Sequence, residues 1–136
     1  MRIVPGLCAA ALFLVALQAD SPEQSVAQVN TIEVAADEVD AYVAGMKKMK
    51  VLYEQLLPTV EMRIWRTAIG GASSGLLTVV TEFESMEAWA AGTSTLSAHA
   101  DYQPLIEELQ ATGRVMVAVS IVSDIIANVQ TGTGNR

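Results

Sequence analysis

A chain of 136 residues has room for one domain and not two. Its formal charge of −7 argues against nucleic acid and acidic lipid as partners. A lone cysteine, Cys8, excludes an internal disulfide framework.

Residues 1–19 read as an export signal. Arg2 supplies a positive start, Leu7 to Leu17 an apolar stretch, and Ala19 a small residue where cleavage could fall. The stretch is shorter than the roughly 20 apolar residues that span a bilayer, although an uncleaved anchor is the alternative. Cleavage takes Arg2 and Cys8 away, leaving seven basic residues against fifteen acidic ones, a charge of −8 and no thiol. The expected location is periplasmic or secreted, with no stable membrane association once the signal is gone. Residues 20–25, which include Pro22, form a polar linker.

Val26 to Val34 is the first predicted strand, with Val29 between polar Gln28 and Asn30. Asp37 suits a helix N-cap, and Glu38 and Asp40 then fall in the first turn, where the helix dipole favours negative charge. Val39, Tyr42, Val43, Met46, Met49, Tyr53, Leu56 and Leu57 follow at three- and four-residue steps, the spacing of one buried helix face. Pro58 ends this helix, and Lys47, Lys48 and Lys50 fall mainly on its solvated side.

Val60 to Ala68 is the second predicted strand. Met62, Ile64 and Arg66 share one face of it; Glu61, Arg63, Trp65 and Thr67 share the other. Gly70, Gly71, Ser73, Ser74 and Gly75 make a turn into a third strand, Leu76 to Phe83, which predicts an antiparallel hairpin. A phosphate loop is excluded there, because no Lys-Ser or Lys-Thr pair follows and a strand comes next. Ser85 caps a short helix through Met86, Ala88, Trp89 and Ala90, which the run Gly92 to Thr95 loosens. Asp101 caps a second helical piece carrying Tyr102, Leu105, Ile106 and Leu109. Pro104 is tolerable in its first turn, and Gly113 ends it. Val115 to Ile126 is the last strand, with Val115, Val117, Val119 and Ile121 on one face and Met116, Ala118 and Val122 on the other. Residues 127–136 form a polar tail expected to be disordered.

The order is β-α-β-β-α-β, the ferredoxin-like plan: an α+β fold whose antiparallel sheet carries helices on one face. The third and fourth strands are apolar on both faces, so the sheet needs two covers. The helices are one, and a second copy of the sheet in a homodimer is the natural other.

The same order, with Phe83-Glu84-Ser85-Met86-Glu87-Ala88-Trp89 leading from the third strand into the next helix, resembles the dimeric α+β barrel superfamily. More narrowly it resembles the antibiotic-biosynthesis-monooxygenase-like (ABM-like) domains, over residues 26–126. That superfamily mixes cofactor-free oxygenases, haem-degrading enzymes, other small-molecule enzymes and proteins of no known activity, so the resemblance implies a fold more than a reaction. Its haem-degrading members use an asparagine on the first strand, a tryptophan early in the second helical region, and a histidine ten residues further on as iron ligand. Asn30, Trp89 and His99 stand in those places. An amide can hydrogen-bond bound oxygen, an indole can press on the macrocycle, and an imidazole can hold iron. This chain departs from that pattern in lacking a basic run after His99, and export separates it from a ready supply of electrons. Each residue also has a plain reading: Trp89 as core, His99 as an exposed or hydrogen-bonded helix residue, Asn30 as a polar strand position.

For cofactor-free oxygenation the aromatic candidates are Tyr42, Tyr53, Trp65, Trp89 and Tyr102, and the pocket is expected from Tyr42, Met46, Trp65, Trp89 and Tyr102. The same residues serve equally as core filling, since they fall on apolar stripes. One histidine and no cysteine after cleavage leave no expected metal site, and no nucleophile-elbow motif supports a hydrolase triad. The expected function is binding of a small hydrophobic molecule by an exported homodimer. Its alternatives are a monooxygenase, cofactor-free or haem-degrading, and a structural dimer with a filled core.

Overall fold

The computed structural model describes residues 24–124. The predicted signal, most of the linker, the tail, and Ile125 and Ile126 at the end of the last predicted strand lie outside the described residues. In chain order the elements are β1 (Val26–Glu33), α1 (Val39–Leu56), β2 (Glu61–Arg66), β3 (Leu77–Phe83), α2 (Met86–Ala98), α3 (Tyr102–Ala111) and β4 (Val115–Ser123). All strand pairs are antiparallel and the sheet order is β2-β3-β1-β4. This is the ferredoxin-like arrangement that the element order predicts.

The register sorts the strands into two faces. Val26, Gln28, Asn30 and Ile32 of β1 lie opposite Phe83, Thr81, Val79 and Leu77 of β3. Met62 and Ile64 of β2 continue those rows beside Thr81 and Val79. On this side Ile32, Leu77 and Val79 join Tyr42, Met46, Met49 and Leu52 of α1, Leu96 of α2 and Leu109 of α3 in one buried core. Burying these apolar faces is the main favourable term for a domain of this size. The other side carries Ala27, Val29, Thr31, Thr78 and Val80, flanked by Trp65 and Val122, and no helix of the described residues covers it.

Several local features differ from the sequence expectation. Helix α1 begins at Val39, with Glu38 as N-cap and no side chain capping it. Asp37 lies instead in a turn closed by the Glu38 N–H donating to the Ala35 carbonyl. Helix α2 is not loosened at Gly92 but runs unbroken to Ala98. Gly92 is needed there for close packing: a Cβ would sit 3.0 Å from Leu57 Cδ1 and 3.2 Å from Phe83 Cε1. The hydroxyls of Thr95 and Ser97 bond back to the carbonyls of Ala91 and Ser94, so these residues are accommodated within the helix. Ser85 does cap this helix, its Oγ accepting from the Ala88 N–H at 3.0 Å. Asp101 precedes α3 but makes no side-chain cap.

The largest correction concerns β4. Thr31 pairs with Ala118 and Ile32 with Met116, so Val117 is an extra residue, a β-bulge. The bulge breaks the simple alternation. Met116 comes to the same side as Val119 and Ile121, towards the helices, and Val115 faces the other way with Ala118 and Val122. As an edge strand β4 is exposed along most of its length, including Val115, Met116, Val117, Val119 and Val122.

Candidate functional site

Two polar side chains of β1 stand where an inner strand would ordinarily be apolar. Gln28 and Asn30, two residues apart, both point to the helix side. Each is half-buried, so each needs hydrogen-bond partners. Trp89, on the first turns of α2, supplies one: its indole N–H donates to Gln28 Oε1 at 2.9 Å. An indole can only donate, which fixes the direction of the network. The Gln28 oxygen accepts, and its amide nitrogen is left to donate to Asn30 Oδ1, at 3.3 Å. The oxygen of Asn30 is thereby occupied. Its amide nitrogen has no partner among the described residues and is available as a donor.

That donor borders a cavity of about 190 Å³ between the sheet and helices α1 and α3. Its floor is Gln28, Asn30, Val79 and Thr81. Met46, Met49 and Tyr53 line it from α1, Met62 from β2, and Tyr102, Ile106 and Leu109 from α3. Arg114 and Met116 complete the wall at the start of β4. Met116 is exposed and Arg114 half-buried, so the cavity reaches the surface on that side. Methionine suits such a wall, because its unbranched, polarizable side chain adapts to irregular shapes.

Two tyrosines near the cavity have raised pKa values. Burial, and secondarily the neighbouring Tyr102, pushes the Tyr53 phenol up to about 12. Burial also raises Tyr42, and the nearby Arg114 guanidinium partly offsets it. The Tyr42 hydroxyl nevertheless has no partner in hydrogen-bond geometry among the described residues. Both phenols therefore stay neutral at ordinary pH and act as donors or as apolar walls.

The residues expected from sequence part ways here. Met46 and Tyr102 line the cavity. Tyr42 is fully buried in the core beside it. Trp89 does not line it but orients Gln28 from behind. Trp65 does not belong to this pocket: strand alternation places it on the opposite face of the sheet, 59% exposed. Of the three residues expected to form a haem site, Asn30 borders the cavity, and Trp89 reaches it only through Gln28. His99 follows α2 as its C-cap, with Nδ1 accepting from the Asp101 backbone N–H at 3.2 Å. It is not among the residues lining the cavity.

Asn30, Trp89 and His99 therefore do not converge on this cavity. A cavity of roughly 150 Å³ holds one benzene, so about 190 Å³ has room for a single substituted ring. Among the described residues no cluster of three His, Cys, Asp or Glu side chains could hold a metal ion. Sequence reasoning missed Gln28 and Arg114 as site residues, whereas Tyr53, one of the expected aromatic candidates, does line the cavity. The available signal for Gln28 was its spacing from Asn30, two polar residues on one face of an inner strand.

No family model and no curated protein sequence matches this chain. Solved structures do match. A NIPSNAP family protein from Agrobacterium tumefaciens superposes with a TM-score of 0.59 at 11% identity, covering 75% of this chain and 85% of that one. A Caulobacter crescentus protein provisionally assigned as an antibiotic biosynthesis monooxygenase gives 0.59 at 10% identity, covering 81% and 98%. A dimeric protein of unknown function with a ferredoxin-like fold, from Bacteroides fragilis, gives 0.51 at 9% identity, covering 74% and 96%. The chain thus shares the ferredoxin-like fold of these proteins.

Proposed function

We propose that this chain acts after export as a homodimer that binds a small, largely apolar molecule in the cavity beneath α1 and α3. The observation that carries the reading is the Trp89–Gln28–Asn30 network. It holds an unpartnered amide donor at the edge of a cavity whose methionine and aliphatic walls carry a few placed polar groups, a combination typical of ligand sites. A purely structural core would have no use for such a donor.

The homodimer is supported by the uncovered face of the sheet. Its central residues, Ala27, Val29, Thr31, Val80 and Ala118, are small or β-branched, which lets a second sheet approach closely. Export is supported by the sequence of residues 1–19 alone. Titration calorimetry with phenol, a one-ring probe, tests the binding reading. Saturable binding at millimolar affinity or tighter is expected; no saturable binding at any soluble concentration would overturn it.

A second reading is cofactor-free oxygenation of the bound molecule. The Asn30 amide favours it, since a fixed donor stabilises negative charge that develops on an oxygen. Oxygen uptake on adding a one-ring hydroquinone, above autoxidation and lost in Asn30→Ala, would support this reading. Uptake no greater than the blank would overturn it.

A further inference from the structure

Arg114 is the charged residue in the cavity wall. It follows Gly113, which ends the turn after α3, and it is half-buried at the entry to β4. Among the described residues no Asp or Glu forms an ion pair with it, whereas the lysine and arginine pairs Lys48–Glu108, Lys50–Glu54 and Arg63–Glu61 lie on exposed surface. The remaining lining residues are apolar or neutral. The cavity therefore carries one positive charge and no negative one, inside a chain whose overall charge is −7.

A half-buried guanidinium with no carboxylate partner among the described residues is available to a complementary anion, which gains more beside apolar walls than in bulk water. Guanidinium also matches the planar, two-oxygen geometry of a carboxylate. The volume of about 190 Å³ accommodates one ring with a short substituent as the rest of the molecule. Asn30, across the cavity floor, offers a neutral donor suited to a hydroxyl or carbonyl oxygen.

We infer that the ligand is a one-ring carboxylic acid, bound as its anion with the carboxylate against Arg114 and the ring among the methionine and tyrosine side chains. This inference rests on the reading of the cavity as a ligand site and adds the ligand's charge and the residue that recognises it. The recognition is of charge and shape, so a neutral isostere should enter the same space and bind less well.

The test compares phenylacetate with phenylacetamide, matched in size and differing in charge, by titration calorimetry at neutral pH. The intact protein should prefer the acid by about tenfold or more, the range of a charge-assisted hydrogen bond. Arg114→Gln should bring the ratio to about one, and Arg114→Lys should restore part of the preference. Equal affinity for both probes in the intact protein would overturn this inference while leaving the ligand site standing. A preference that persists in Arg114→Gln would overturn the assignment to Arg114. Binding of neither probe would overturn the inference together with the site on which it rests.

Discussion

Trp89 and Gln28 are joined across the helix–sheet interface by a 2.9 Å hydrogen bond from indole nitrogen to amide oxygen. The bond links a helix to the strand at the centre of the sheet and decides which end of the Asn30 amide faces the cavity. Trp89→Phe keeps the ring and removes the donor. We expect a loss of about 1 kcal/mol in stability, the usual net value of such a bond, read from the denaturant midpoint. We also expect weaker phenol binding, because Gln28 is then free to turn. Unchanged affinity would show that the network does not prepare the site.

Adjacent residues of β3 offer a sharp test of the two faces. Val79 is 3% exposed beneath the helices, and Val80 points to the uncovered side. Val79→Asp should unfold the chain, since a charge buried among Ile32, Met46 and Leu109 costs at least about 3 kcal/mol. Val80→Asp should leave a folded monomer. Circular dichroism and light scattering separate the outcomes. A wild-type protein that stays monomeric at high micromolar concentration would remove the homodimer.

Gly45 of α1 marks the crossing with α3. A Cβ there would lie 2.8 Å from Leu109 Cδ2. Gly45→Val should destabilise by about 1–3 kcal/mol through overpacking, and the loss should be recovered in part by Leu109→Ala. Additive losses in the double variant would contradict this account of the crossing.

The tyrosines predict the alkaline behaviour. The Tyr53 phenol ionises at about 12 in the folded chain against 10.0 for an ordinary tyrosine. Between those values the unfolded chain has released its proton and the folded chain has not, so the folded state binds more protons. Stability should therefore be level below about pH 10 and fall as pH rises through about 12. Tyr42, also raised, acts in the same direction. Guanidinium midpoints across this range, with tyrosinate absorbance followed in parallel, check the sign. A rising midpoint would contradict it.

Haemin should bind weakly, if at all, and without dependence on His99. The Soret band of a haemin titration should be the same for the wild-type protein and His99→Ala. A shift lost in the variant would show that the histidine turns from Asp101 into a larger space than the described cavity.

The fold was legible because its elements are punctuated. Pro58 ends one helix, Ser85 caps the next, and a glycine-rich turn separates two alternating strands. The resemblance to ABM-like domains holds at the level of fold for the same reason. Details that depend on tertiary contact were not legible. Gly92 reads as a helix breaker until Leu57 and Phe83 are seen pressing against it. The β4 bulge at Val117 has no signature in a run of valines, methionine and alanine, yet it turns Met116 to the cavity. Trp65 attracts notice as an aromatic, but alternation alone decides its face. Arg114 escaped notice because a basic residue after Gly113 reads as an ordinary loop position.

The cavity's methionine methyl groups give the most direct measurement. Met46, Met49, Met62 and Met116 line it, whereas Met86 lies exposed at the start of α2 and away from the lining. Carbon-13 labelling of the methionine methyls, followed by titration with phenylacetate, reports on all of them at once. The account predicts saturable shifts at the four lining methyls and none at Met86. Four unmoved lining methyls at saturating probe, with the protein folded, would contradict it.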